Sequence, residues 1–152
     1  MNRNTIFTSK IAEIKISYSH RVDPKQQLQI TSSGDVYSAV VDGWPDLDYR
    51  ESFAVLYLSR ANRLLGLNWI SQGGCAGTVV DVKIVLQGAL KANASAIICV
   101  HNHPSANLKS SQEDRKITSK LKEACKVIDI LFLDHLIISS FEYYSMADNG
   151  EI

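Results

Sequence analysis

"ASAIICVHNHPSANLKSSQED", residues 94–114, holds both the fold signal and the chemical signal of this chain. Its first seven residues are a nearly continuous apolar run, the pattern of a central strand covered on both faces, and the run ends at His101. In extended backbone, residues two apart point to one side, so His101 and His103 present their imidazoles together while Asn102 faces away. Pro104 fixes its own φ and holds His103 extended, which keeps the two rings in register. Asp114 falls in the first turn of a following helix, with Ser111 three positions before it on the same face. Two imidazoles and one carboxylate leave a fourth tetrahedral position open for water, which for zinc is the arrangement of a catalytic site. The same letters also read as two helix caps, Ser110 with Glu113 and Ser111 with Asp114, and caps require no metal. Two histidines at i and i+2, followed by proline and a suitably placed acid, favour the metal reading of His101, His103 and Asp114.

Outward from this stretch, strand and helix patterns alternate. "AEIKISYS" alternates Ile14, Ile16 and Tyr18 with polar residues, as in an edge strand. "TSSGDVYSAVVDGW" opens on capping residues and carries Val36, Ala39 and Val40 at helical spacing. "ESFAVLYLS" and "RLLGLNWIS", joined by "RAN", predict a β-hairpin headed by Glu51. "DVKIVLQGALKAN" predicts an amphipathic helix capped by Asp81, with Val82, Val85, Leu86, Ala89 and Leu90 on one face. Ile117, Leu121 and Ala124 mark another helix, and "DILFLDHLIIS" and "YYSMADNGEI" read as two closing strands. The alternation predicts an α/β fold, a three-layer α/β/α sandwich with helices on both sides of a mixed sheet.

At 152 residues and 45% apolar, the chain is large enough for one globular core. Lysine plus arginine and aspartate plus glutamate balance at 16 each, so no global field draws it to nucleic acid or an anionic membrane. Cys75, Cys99 and Cys125 are odd in number and widely spaced, and read as buried thiols of a reducing compartment. No apolar run is long enough to span a membrane, and "MNRNTIFTSK" lacks a signal-peptide core, so the expected location is the cytoplasm.

The pattern His-x-His-Pro followed by Ser-x-x-Asp resembles the JAMM or MPN-plus metalloproteases, which include deubiquitinating isopeptidases. Together with "ESFAVLYLSRANRLL", "GGCAGTV", "LDHLIIS" and "YYSMADNGEI", it is most similar to the bacterial RadC-like JAB domain. The resemblance covers about residues 45–152, which leaves residues 1–44 as an N-terminal extension of one strand and one helix. It implies a cytidine-deaminase-like (JAB/MPN) sandwich with Zn2+ on His101, His103 and Asp114, acting as a hydrolase of peptide or isopeptide bonds through a metal-activated water. It also places the family's catalytic glutamate at Glu51, where a carboxylate could move the proton of the attacking water. Ser111 would then donate a hydrogen bond to the oxyanion, or serve only as a helix cap. Three positions depart from the usual family pattern: Ala106 stands for glycine, Ser110 for proline and Ser59 for aspartate. Alanine at 106 carries a cost if that position needs positive φ.

Asp134 and His135 interrupt an apolar strand, so each needs a buried partner. They either hydrogen-bond a ligand imidazole or serve the sheet itself. His20 lies in a polar segment and is expected in solvent. The letters "HNH" do not make an HNH nuclease, whose residues are spread over a ββα unit. Zinc deaminases need His-x-Glu and Pro-Cys-x-x-Cys, and neither is present. A different class stays open: a non-catalytic binding domain associated with DNA repair or a mobile element. Between Lys109 and Lys126, six basic residues face three acidic ones, a modest patch that gives nucleic acid weak support beside a peptide or protein substrate.

Overall fold

Residues 52–58, SFAVLYL, are all buried, which a strand achieves only when both of its faces are covered. The structure, a computed structural model, describes residues 11–12, 14–15, 17, 19–73 and 79–152. In chain order, the described residues form α1 (Ser33–Val40), β1 (Ser52–Leu58), β2 (Leu64–Gln72), α2 (Val82–Lys91), β3 (Ala96–Asn102), α3 (Gln112–Val127), β4 (Leu131–Ile138) and β5 (Tyr143–Ser145), with short 3-10 turns at Pro24–Gln26 and Val41–Gly43. The sheet runs β2-β1-β3-β4-β5. β3 and β4 are parallel and every other pair is antiparallel, so the sheet is mixed.

Side-chain alternation divides the core in two. Ala54, Leu56 and Leu58 of β1 and Ile98 and Val100 of β3 pack with Val36 and Val40 of α1. Phe53, Val55 and Tyr57 of β1 and Ile97 and Cys99 of β3 pack with Val85 and Ala89 of α2 and Leu121 and Cys125 of α3. One helix therefore covers one face and two cover the other, the three-layer α/β arrangement expected from the sequence.

Local chemistry explains the boundaries. Ser32 and Asp35 form a capping box at the start of α1, and Asp81 caps α2 by accepting from Lys83 N. The hairpin turn uses Asn62 at φ 56°, and Ser59 Oγ accepts from Arg63 N at 3.2 Å, a bond that an aspartate there could also make. α2 and α3 end on left-handed Asn93 and Asp129, residue types that tolerate positive φ.

Several expectations are corrected. The strand expected in "AEIKISYS" has Glu13, Ile16 and Tyr18 outside the described residues, and its described members are exposed and not in a strand. The helix marked by Ile117, Leu121 and Ala124 is α3; Leu121 is buried and Ile117 packs partly buried against the same core, and Thr118, whose hydroxyl finds buried partners, and Cys125 complete the buried face. In α1, Ala39 is exposed, and in α2, Leu90 is 60% exposed. "YYSMADNGEI" is a strand only through Ser145. Asp134 then accepts from Ser145 Oγ at 2.5 Å and Ala147 N at 3.0 Å, and this turns the chain out of the sheet. Cys99 and Cys125 are buried free thiols as expected, with burial pushing Cys125 up to about 11, while Cys75 lies outside the described residues. No helix among the described residues is long and apolar enough to cross a membrane.

Gly88 lets α2 sit on the sheet. A Cβ there would lie 2.2 Å from Tyr57 Oη and 2.6 Å from Cζ, and Tyr57 is buried with its hydroxyl donating to Val85 O at 2.9 Å. Helix propensity alone favours Gly88→Ala by about 1 kcal/mol. The clash reverses that sign, and chemical denaturation of the variant should show a net loss of about 1–3 kcal/mol.

Candidate metal centre

His101 belongs to β3 itself, and the strand runs through Asn102 rather than stopping before the histidines. His103 N still donates to Ile138 O at 3.1 Å, so both imidazoles stand on backbone tied to β4. The pleat puts His101, 2% exposed, on the α2/α3 face and sends fully buried Asn102 to the other. Phe53 stacks on the His101 ring at 5.9 Å and meets the His135 ring edge-on at 5.4 Å.

Asn102 is completely satisfied. Its Oδ1 accepts from Trp44 Nε1 at 2.9 Å and Ser52 N at 2.8 Å, and its Nδ2 donates to Leu47 O at 2.9 Å and Arg50 O at 2.8 Å. Four bonds from one side chain thus fasten the segment that delivers Glu51. Sequence reading left Asn102 without a role. Its one signal was a polar residue enclosed between the two histidines at the end of an apolar strand.

The candidate residues come together at this strand end. His101 Nε2 and His103 Nε2 are 2.9 Å apart. Asp114 Oδ1 lies 3.1 Å from His101 Nε2, and its Oδ2 lies 3.4 Å from His103 Nε2. Glu51 Oε1 is 3.9 Å and 3.6 Å from the same two nitrogens. Glu51, His101 and His103 alone already place one ligand atom each within 4.8 Å of one another, a group able to hold a metal ion. Asp114 lies closer than Glu51 to either histidine and is more tightly held. Ser111 is the N-cap of α3: its Oγ accepts from Asp114 N at 3.0 Å, and Asp114 Oδ2 accepts from Ser111 N at 2.7 Å. The capping box of the sequence reading and the carboxylate that faces the two histidines are therefore one arrangement. Ser110 makes a separate contact, donating to Glu151 Oε2 at 2.8 Å.

Hydrogen-bond directions show why a cation fits. The Asn107 carbonyl, 2.6 Å from His103 Nδ1, can only accept, so His103 carries a proton on Nδ1, and the neutral ring turns a bare Nε2 inward. Two carboxylates and at least one imidazole lone pair thus face one another. Burial lowers the His103 pKa, but the hydrogen bonds it donates to Asp114 and the Asn107 carbonyl outweigh it and the net shift is upward. Burial likewise works to raise Asp114, yet the two imidazoles hold it well below the usual carboxylate range. His135 is driven the other way, well below the ordinary histidine value, by complete burial and then by His101. Its Nε2 is 2.8 Å from His101 Nδ1, whereas Asp134 serves the backbone of β4 and the following turn. Of the two residues in the suspicious pair, one reaches the site and the other holds the chain end. His20 is exposed. At the cluster opens a cleft of about 1020 Å³ whose lining includes the apolar Val79, Val80 and Ile117 and the charged Lys109, Glu113 and Lys116.

A family model described as RadC-like JAB domain matches residues 30–151, a span that takes in α1. The UPF0758 protein of Flavobacterium johnsoniae is 38% identical over 143 residues, 93% of this chain and 62% of that protein. The UPF0758 protein of Salinibacter ruber is 39% identical over 127 residues, 84% of this chain and 54% of that protein. The UPF0758 protein YfjY of Escherichia coli is 40% identical over 101 residues, 66% and 63% of the respective chains. The chain spans about half to three-fifths of the length of these curated relatives.

Two outcomes test this geometry. Ala106 adopts φ 60°, and its N donates to His103 O at 2.9 Å, so the strained residue is what turns Asn107 O back onto His103 Nδ1. Relief of an alanine in left-handed backbone should make Ala106→Gly more stable by about 1 kcal/mol in denaturant titration, the freer unfolded chain offsetting part of the gain. The second outcome concerns pH. Because the folded pKa of His103 is raised, its contribution to the metal-free chain is complete below an unfolded value of about 6.5 and is lost as pH rises through the folded value. That of Asp114 is present above about 3.9 and lost as pH falls. In chelator, the difference in thermal stability between wild type and His103→Gln should therefore shrink between pH 5.5 and pH 8, a comparison that cancels the opposite contribution of His135, whose folded value is depressed. The increment given by added zinc should grow over the same interval, since protonated histidine cannot ligate.

Proposed function

Starting from the fact that the chain belongs to the RadC-like JAB domain family, with its five-stranded mixed sheet and three helices consistent with a JAB/MPN-like fold, we propose that it is a zinc-dependent hydrolase of the JAMM type that cleaves a peptide or isopeptide bond. The observation that carries this reading is the convergence of His101 Nε2, His103 Nε2 and the Asp114 carboxylate at 2.9–3.4 Å, with a second carboxylate, Glu51, just beyond. The donor set of two imidazoles and one carboxylate suits zinc with one position left open. Zinc in such a site lowers the pKa of water toward neutrality and polarises a carbonyl oxygen.

Asp114 is the third ligand in this reading, because its capping bonds hold it closer to both histidines than Glu51 lies. Glu51 enters no such cap and faces the open cleft, which suits a group that takes a proton from the attacking water and returns it to the leaving nitrogen. Ser111 accepts from Asp114 N with one lone pair, and among the described residues its O–H has no acceptor, so its proton can be donated to the oxygen of the carbonyl under attack. Such a donor contributes ~3 kcal/mol in a site that excludes water. A peptide substrate is supported by a cleft lining that mixes apolar residues, Val79, Val80 and Ile117, with charged and polar ones.

Glu51→Gln should keep zinc affinity near wild type and lower hydrolysis by about 10²- to 10⁴-fold. Asp114→Asn should weaken zinc binding first and regain part of its activity at high zinc. Calorimetric zinc titration and turnover of peptide and ε-amino-linked isopeptide reporters separate the two. Full zinc-dependent turnover in Glu51→Gln would remove the role given to Glu51. Unchanged zinc affinity in Asp114→Asn would remove Asp114 from the ligand set. A wild-type chain that binds no zinc leaves a non-catalytic binding domain as the reading.

A further inference from the structure

Thr118 lies on the buried face of α3, and its Oγ1 is 2.7 Å from the Asp114 carbonyl oxygen, 2.6 Å from His135 Nδ1 and 3.6 Å from Met146 Sδ. A hydroxyl has one proton to give, and a carbonyl can only accept. The proton therefore goes to Asp114 O, and Oγ1 accepts from a proton on His135 Nδ1. A neutral imidazole has a single N–H, so His135 Nε2 is an acceptor, and its 2.8 Å contact with His101 Nδ1 is a bond that His101 donates. His101 is then left with a lone pair on Nε2, aimed at Asp114 Oδ1 and His103 Nε2. In the opposite direction, two oxygens would face each other 2.7 Å apart without a proton, and His101 would present an N–H where a ligand needs a lone pair.

We infer that His135 and Thr118 are positioning residues that fix His101 in the one tautomer able to ligate through Nε2. The chain of hydrogen bonds runs from His101 Nδ1 on β3 through His135 on β4 and Thr118 to the Asp114 carbonyl on α3, and the bare His101 Nε2 ends 3.1 Å from the Asp114 carboxylate. Both ends of the site are thereby set by one buried path. The inference rests on the reading of His101 as a zinc ligand, but its first test needs no metal.

Nitrogen-15 spectra of the imidazoles in the metal-free chain at pH 8 should show His101 protonated on Nδ1. His135→Leu, which removes the acceptor, should move that proton toward Nε2 and weaken zinc binding by about 10- to 100-fold, the usual size for loss of a ligand's outer partner. His135→Gln should restore both readouts, since its amide can accept from His101 and donate to Thr118. Thr118→Val, which leaves the His135 tautomer free, should move both in the direction of His135→Leu by a smaller amount. If His135→Leu does not fold, the wild-type spectrum and Thr118→Val decide. An Nε2 proton on wild-type His101 overturns the inference, as does wild-type zinc affinity in folded His135→Leu. A wild-type chain that takes up no zinc defeats the hydrolase reading, while the spectra still decide which tautomer the relay imposes.

Discussion

His101 and Asn102 are neighbours on a strand buried on both faces, and the pleat sends them to opposite sides of the sheet. Each brings polar atoms into a place with no water, where a group left unpaired costs about 1–3 kcal/mol. The fold must therefore supply partners on both faces at one level of the sheet. On the α1 face it does so with the Trp44–Ser52 segment, all of whose bonds to Asn102 come from 50 or more residues away. On the other face it does so with His135 of the parallel neighbour β4. The position of Glu51 and the orientation of His101 both follow from satisfying this one strand end.

Asp114 shows how a structural device and a chemical one share the same atoms. Its carboxylate closes the α3 capping box and faces His101 and His103, so the helix start that needs an acid also holds that acid in place. Glu51 has no equivalent tether among the described contacts of its carboxylate, only the two histidines at 3.6 and 3.9 Å. The contrast between a clamped and a loosely held carboxylate is the physical ground for giving them different roles.

Between strand end and helix start, the loop accepts strain. Ala106 at φ 60° costs about 1–2 kcal/mol relative to ordinary backbone, and what it secures is the Asn107 carbonyl on His103 Nδ1. The Ser110 hydroxyl, where the family pattern usually has proline, donates to Glu151, and Arg115 donates to its carbonyl at 2.7 Å. The loop is thus held by side chains at both of its ends.

The sequence by itself determined what depends on neighbours a few residues apart. The buried strand before His101, the shared side of His101 and His103, the hairpin, and the caps at α1, Asp81 and Ser111 follow from local periodicity and local sterics, while the positive φ considered at Ala106 came from the glycine usual there in the family it resembles. Tertiary structure decided what depends on partners distant in the chain. The tie between Asn102 and Trp44 joins residues 58 apart, and that between His101 and His135 joins residues 34 apart. Thr118 joins the buried face of α3 with its hydroxyl met by His135, 17 residues on. Asp134 ended the last strand at Ser145 by capturing groups 11 and 13 residues away. A hydroxyl or an amide in a sequence announces that it needs a partner, but which partner it finds is set by sheet pairing and helix docking, and those are properties of the whole chain.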